Sequence, residues 1–167
     1  LFRSGVFKAD DIQGQNRHKG YVMALQEAGI LYDPDKVIWF HTEDRKVHPY
    51  HGIKRLLEQK MPIDGVVCYN DQIAMQVIRA LKDLRLKVPE DISVTGYDNS
   101  YMAVSDDFRL TTIVHPQEKM GEMAAELLLD LLHSGEESVK DKKILIEPEL
   151  VEGNSCICRC RNKNRQM

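Results

Sequence analysis

Three short, β-rich stretches constrain this chain more than any other feature. Val37-Ile38-Trp39-Phe40, Gly65-Val66-Val67-Cys68-Tyr69 and Ile92-Ser93-Val94-Thr95-Gly96-Tyr97 are too short for buried helices and rich in β-branched and aromatic residues. They read as strands covered on both faces, as in a parallel sheet flanked by helices. Leu1 to Phe7 supplies a further strand ahead of them. Helical periodicity fills the gaps. Gln15 to Ala28 puts Tyr21, Leu25 and Ala28 on one face and stops at Gly29; His51 to Gln59 presents Ile53, Leu56 and Leu57. Asp71 to Leu84 carries Ile73, Ala74, Val77, Ile78 and Leu81 at helical spacing. Strand and helix in alternation give an α/β, doubly wound parallel sheet.

The pattern changes after Phe108-Arg109-Leu110-Thr111-Thr112-Ile113. His115-Pro116 breaks the chain, because proline disfavours helix at the residue before it. An amphipathic helix from Gln117 to His133 follows, with Met120, Met123, Ala124, Leu127, Leu128 and Leu131, and ends at Ser134-Gly135-Glu136. Ile144 to Val151 reads as a closing strand in which Pro148 implies an edge or a bend.

Composition excludes several classes. The length of 167 residues suits one domain, and a net charge of -3 argues against a chain that wraps nucleic acid by charge alone. No apolar run approaches the roughly 20 residues of a membrane span. Leu1-Phe2-Arg3-Ser4-Gly5 has no signal-peptide pattern and no initiating Met, so an upstream part is expected. Cys68 reads as a small core residue. Cys156, Cys158 and Cys160 lack the spacing of a zinc site and are expected in a frayed basic tail or in sequence added past the natural end. His18, His41, His48 and His51 are expected as solvated loop residues, His48 and His51 sharing a proline-containing loop. No metal and no cofactor is expected. Asp10, Asp11, Glu43 and Asp98 give no sign of paired catalytic carboxylates, and neither a phosphate loop nor a nucleophile elbow occurs. The reading is ligand recognition without chemistry, not an enzyme.

Ligands of open α/β sheets bind beyond the carboxyl ends of the strands. Three loops fall there: Lys8-Ala9-Asp10-Asp11-Ile12-Gln13-Gly14-Gln15-Asn16-Arg17, then Asn70-Asp71, then Asp98-Asn99-Ser100. Asp, Asn and Arg are planar, bidentate partners for adjacent sugar hydroxyls. Each has a plainer reading. Asp71 is expected to cap the following helix, leaving Asn70 as a ligand contact, although either type caps well. Asp98 could hold a turn with Asn99. Arg17, expected on a helix's first turn, opposes the helix dipole there, which makes a purely structural role less natural. His115 is either a hinge residue or a contact.

At these loops the chain resembles the lactose/galactose-repressor family, whose sensor domains share the periplasmic-binding-protein fold. The resemblance runs from about Leu1 to Ser155. It is carried by Cys68-Tyr69-Asn70-Asp71-Gln72-Ile73-Ala74, by Leu86 to Asn99, by Leu110-Thr111-Thr112-Ile113, and by Pro148-Glu149-Leu150-Val151 before Ser155. Within the family, Gly5-Val6-Phe7-Lys8-Ala9-Asp10-Asp11-Ile12-Gln13-Gly14 with Arg17-His18-Lys19-Gly20-Tyr21 resembles the arabinose-utilisation repressors of Gram-positive bacteria, which join a winged-helix (GntR-type) DNA-binding domain to such a sensor.

The resemblance implies a cytoplasmic repressor's effector domain that senses L-arabinose, with operator DNA bound through an upstream domain and a homodimer as the working state. It implies no membrane partner. The alternative is a periplasmic or lipoprotein sugar receptor of a transporter. Carried over by motif, Arg17, Asn70 and Asp98 are the effector contacts, with His115 at the hinge crossover. Lys8, Asp10, Asp11, Gln13 and Glu43 are weaker candidates. Family sensors have two lobes. Residues 1–113 correspond to the second lobe, 114–153 to the hinge crossover with a returning helix and strand of the first, and 154–167 to the basic cysteine-containing tail. The returning helix and strand would normally pack into the first lobe, and a dimer surface is expected around Met75, Ile78 and Leu81.

Overall fold

The computed structural model describes residues 4–105, 107–134 and 143–157. Its centre is a four-stranded parallel sheet of β1 (Ser4–Lys8), β2 (Val37–Phe40), β3 (Gly65–Cys68) and β4 (Ser93–Thr95), in the order β2-β1-β3-β4. The register pairs Gly5 with Val37 and with Val67, and Val66 with Val94. β2, β3 and β4 lie within the expected stretches, and β1 overlaps the strand expected over Leu1 to Phe7 but runs on to Lys8. Leu1-Phe2-Arg3 lies outside the described residues, as do Gly135-Glu136, Cys158 and Cys160.

The period-two pleat splits each strand between two helical layers. Val6, Ile38, Phe40, Val66 and Cys68 face one side, where α2 (His48–Glu58) and α3 (Asp71–Asp83) close over them with Ile53, Leu56, Ile73, Ala74, Val77 and Leu81. Phe7 faces the other side beneath Tyr21 and Leu25 of α1 (Ile12–Glu27), with Val37 and Val67 packed against them. Burying each large apolar side chain contributes about 1.5–3 kcal/mol.

Several expectations change here. Helix α1 begins at Ile12 because Asp11 caps it, its Oδ1 accepting from Gly14 N at 2.6 Å. Arg17 therefore sits in the second turn rather than the first. Ala28, expected on the buried face, lies exposed past the last helical residue. Helix α2 starts at His48 with Pro49 in its first turn, so His48 and His51 are helical rather than on a loop. Proline's missing N–H costs nothing at that position. His18 is no solvated loop residue: its ring packs edge-on to Phe7 and Tyr32 and against Trp39, and burial lowers its pKa. Leu81 is fully buried against the sheet and offers nothing to a dimer surface, whereas Met75 and Ile78 are half-buried.

Beyond β4 the chain runs through bridges from Thr95 to Thr111 and from Asp98 to Val114, both parallel, which extend the sheet by one irregular edge. β5 (Thr112–Ile113) pairs antiparallel with β6 (Leu150–Val151). The expected strand over Ile144–Val151 is thus only its last two residues. α4 (Gln117–Ser134) forms as expected, yet none of its described side chains is fully buried, and Leu128, Leu129 and Leu132 are exposed. Residues at the expected border of the tail are tied into the sheet. Ser155 is buried, accepts from Thr111 N at 2.8 Å and donates to Val94 O at 2.7 Å. Cys156 Sγ, half-buried, also donates to Val94 O.

Gly14 shows how tightly α1 is seated on the sheet. A Cβ there would lie 2.0 Å from the carbonyl oxygen of Lys8. Helix propensity alone favours Gly14→Ala by about 1 kcal/mol. The backbone clash reverses that sign, and the variant is expected to lose about 1–3 kcal/mol in urea unfolding. A gain in stability would show that α1 does not approach β1 this closely.

Candidate functional site

Because the sheet is parallel, the carboxyl ends of β1, β3 and β4 open on the same edge, and the loops that follow them converge. Gln13, Arg17, Tyr69, Asn70, Tyr97, Asp98 and His115 line one open cleft of about 350 Å³ there. That size falls within the ~300–1,000 Å³ of small-molecule sites. Five of the nine expected site residues meet in it: Arg17, Asn70, Asp98, His115 and Gln13.

Arg17 is the best-fixed side chain of the group. Its Nη1 donates to Tyr69 O at 2.6 Å, and its Nη2 lies 3.9 Å from Asp98 Oδ1. The guanidinium carbon stands 3.8 Å from the ring centroid of Tyr97 and 4.5 Å from that of Tyr69. A guanidinium stacks on aromatic faces while its edge donors remain available. The two tyrosines were not among the expected site residues. The signal was present, since each stands at or just past the end of its apolar run.

Asn70, not Asp71, caps α3: its Oδ1 accepts from Ile73 N at 3.1 Å. Only the oxygen is consumed by the cap, and the amide hydrogens remain for the cleft. Capping and ligand contact therefore use different atoms of one side chain. Asp98 follows β4 with φ 106°, and Asn99 has φ 50°. Both lie in the left-handed half of the map, which Asp and Asn enter more readily than most residues. Burial pushes the Asp98 carboxyl above its ordinary range; Arg17 opposes this, the charge of Asp71 adds to it, and His115 and Asn70 oppose it. His115 N donates to Asp98 O at 3.4 Å, which ties the crossover to the same loop.

The remaining candidates sit to one side. Lys8 lines a smaller hollow of about 200 Å³ with Thr42, Arg45 and Gln72, sharing Tyr69 and Asn70 with the main cleft. Its Nζ lies 2.8 Å from Asp11 Oδ2, and that bond raises its pKa. Burial pushes Asp11 up, but bonds from Lys8, Gly14 and Tyr69 outweigh it and hold the carboxyl low. Asp10 accepts from the hydroxyl and backbone N–H of Thr42, at 2.7 and 3.1 Å, and is lowered chiefly by that hydroxyl. Asp10 thus ties the β1 loop to the β2 loop, and Asp11 caps α1 and ties the β1 loop to Tyr69 at the end of β3. Glu43 is exposed and lines none of the cavities described. Among the described residues no group of His, Cys, Asp and Glu has a metal-holding arrangement, and no helix is long and apolar enough to cross a membrane.

The chain matches a known family model, that of the periplasmic binding protein-like domain, over residues 5–156. The chain belongs to that family. It is a periplasmic-binding-protein-like effector domain of the LacI/GalR type. An "Arabinose metabolism transcriptional repressor" of Halalkalibacterium halodurans is 36% identical to it over 158 residues, which cover 90% of this chain and 41% of that protein. An HTH-type transcriptional repressor PurR of Photorhabdus laumondii is 39% identical over 145 residues, or 86% of this chain and 41% of that one. The solved structure of a transcriptional regulator CelR–cellobiose complex superposes with a TM-score of 0.79 at 27% identity, covering 91% of this chain and 46% of that one. The chain therefore spans under half the length of these relatives.

The raised pKa of Asp98 has a signed consequence. A carboxyl held above its unfolded value favours the fold most below the ordinary aspartate pKa of 3.8, and that contribution is lost as pH rises through the folded value. Asp98→Asn removes the titrating group and tolerates the positive φ. The variant is expected to be at least as stable as the parent at pH 7 and to lack that fall, measured by urea unfolding across the acid range. Lower stability of the variant at pH 7 would mean that the charge of Asp98 is favourable in the fold.

Proposed function

We propose that this domain is the L-arabinose sensor of a bacterial transcriptional repressor. The observation that carries the reading is the Arg17 guanidinium, bracketed by Tyr69 and Tyr97 and facing the Asp98 carboxylate across the cleft. A fork of donors opposite a bidentate acceptor matches the adjacent hydroxyls of a small sugar, and Asn70, Gln13 and His115 extend the polar rim. The arabinose-type opening at Gly5 to Tyr21 and the Halalkalibacterium relative support the choice of sugar.

In this reading Arg17, Asn70, Asp98 and His115 hold the sugar, Gln13 and Lys8 border it, and Asp10 and Asp11 fix the loop beneath. Residues 1–113 are the second lobe, and 114–153 cross a hinge and return to the first. Sugar that contacts both lobes shifts the population toward the closed arrangement in proportion to its differential affinity. A homodimer transmits that shift to operator DNA through a winged-helix domain, in the cytoplasm. The exposed apolar side of α4, with Met120, Leu128 and Leu132, is where the rest of the first lobe packs. Binding is the whole of the activity, with neither cofactor nor metal.

The test is calorimetric titration of the full-length gene product with L-arabinose, and with D-glucose as a control. Binding of the pentose alone is expected. Arg17→Lys keeps the charge and the stem but loses the fork, and is expected to weaken affinity by about 10- to 100-fold with the unfolding midpoint unchanged. Absence of L-arabinose binding in a folded protein would overturn the choice of sugar, and undiminished binding by Arg17→Lys would remove Arg17 from the site.

A further inference from the structure

We infer that Asp71, which does not face the cleft, is the residue that positions the sugar contacts. The inference rests on the sensor reading above and adds to it the source of the site's rigidity.

Asp71 is a completely buried carboxylate beneath the site. Its backbone N–H donates to Tyr97 O at 2.9 Å, and its Oδ2 accepts from Ser100 N at 2.7 Å. It therefore grips the loop immediately before Asp98 and two residues after it. Its Oδ1 accepts from Thr112 Oγ1 at 2.6 Å, and that hydroxyl oxygen in turn accepts from Asn99 N at 3.4 Å. Three chain segments that deliver contacts thus meet at one side chain. They are the start of α3, adjacent to Asn70, the Asp98 loop, and the β5 segment that leads to His115.

Two features show that the arrangement is built for this carboxylate. Gly96 makes room for it, since a Cβ there would fall 2.2 Å from Asp71 Oδ1. Asp98 and Asn99 are held at positive φ, a conformation that costs free energy and persists only where the surroundings enforce it. Asp71 supplies that enforcement. A buried charge is a poor way to add stability, because desolvation opposes it. A buried acceptor for two separate segments is an effective way to fix geometry.

The experiment uses Asp71→Ala, Asp71→Asn and Thr112→Val in the full-length protein, with L-arabinose titration and residue-resolved amide hydrogen exchange. Asn keeps an acceptor for Ser100 N in the same shape, so it is expected to retain affinity within about fivefold, whereas Ala, losing charge-assisted bonds, weakens it by about 10- to 100-fold. In Asp71→Ala, exchange is expected to speed up at Asn99 and Ser100 while the β1 and β3 amides stay protected. If that variant fails to fold, Thr112→Val decides, with the same loop-confined gain in exchange and a loss of affinity shared with no other surface. Parental affinity in Asp71→Ala, or exchange that rises equally throughout the sheet, would overturn the inference and leave Asp71 a core residue only. If the parent protein binds no L-arabinose, the sensor reading fails, and the exchange pattern still decides whether Asp71 holds the Asp98 loop.

Discussion

Parallel strands all point the same way, and in this chain that single constraint decides where recognition occurs. β1, β3 and β4 must end on one edge of the sheet, so the segments after them are brought together whatever their residues are. The chain has placed planar polar groups there and almost nowhere else in the core. Packing supports this from both sides: α2 and α3 seal one face through Ile53, Val77 and Leu81, and α1 seals the other through Tyr21 and Leu25. The same helix α1 carries Arg17 to the cleft, and the close seating of Gly14 on Lys8 fixes how far it reaches. Seating of the core and reach of the site are therefore one geometric problem.

The cleft is held in a state that costs stability. Asp98 is half-buried, at positive φ, with the charge of Asp71 nearby, and its carboxyl is less willing to ionise than an ordinary one. Arg17 opposes this only in part, at 3.9 Å. A polar ligand that donates to the Asp98 carboxylate and accepts from Arg17 would satisfy both groups better than they satisfy each other. That unmet capacity is a physical reason to read the cleft as a binding site rather than as a structural ion pair, which would be closer and bidentate.

The parallel sheet was legible in the sequence because strands buried on both faces leave short, uncharged, β-rich stretches. Val37–Phe40 appears in the structure with the same bounds. The placement of Arg17, Asn70 and Asp98 at the carboxyl edge of the sheet was legible because each follows a strand, although Arg17 lies in the second turn of α1 rather than in a loop. What escaped depended on contacts distant in sequence. Ala28 shares its helix's apolar periodicity but lies exposed past its end, and Leu81 shares that of Met75 and Ile78 but lies fully buried; periodicity alone separates neither case. Asp71 looked like a cap because Asn70 and Asp71 are equally good caps locally; only the bonds to Ser100 and Thr112, 29 and 41 residues away, separate their roles. Tyr69 and Tyr97 read as core aromatics until the sheet edge placed Arg17 between them. The strand expected over Ile144–Val151 shrank to two residues, because β5 offers it only Thr112 and Ile113 as partners.

The apolar side of α4 and the hollow of about 420 Å³ between it and Ile144–Ile146 stand beside the polar cleft, sharing Tyr97 and His115 with it. The two surfaces call for different occupants, an apolar packing partner on one and a polar small molecule on the other. A crystal structure of the full-length protein grown with L-arabinose separates them most directly. The account predicts sugar density with hydroxyl oxygens within about 3 Å of both the Arg17 guanidinium and the Asp98 carboxylate. Density confined to the α4 hollow, or a protein with a vacant cleft at saturating sugar, would contradict it.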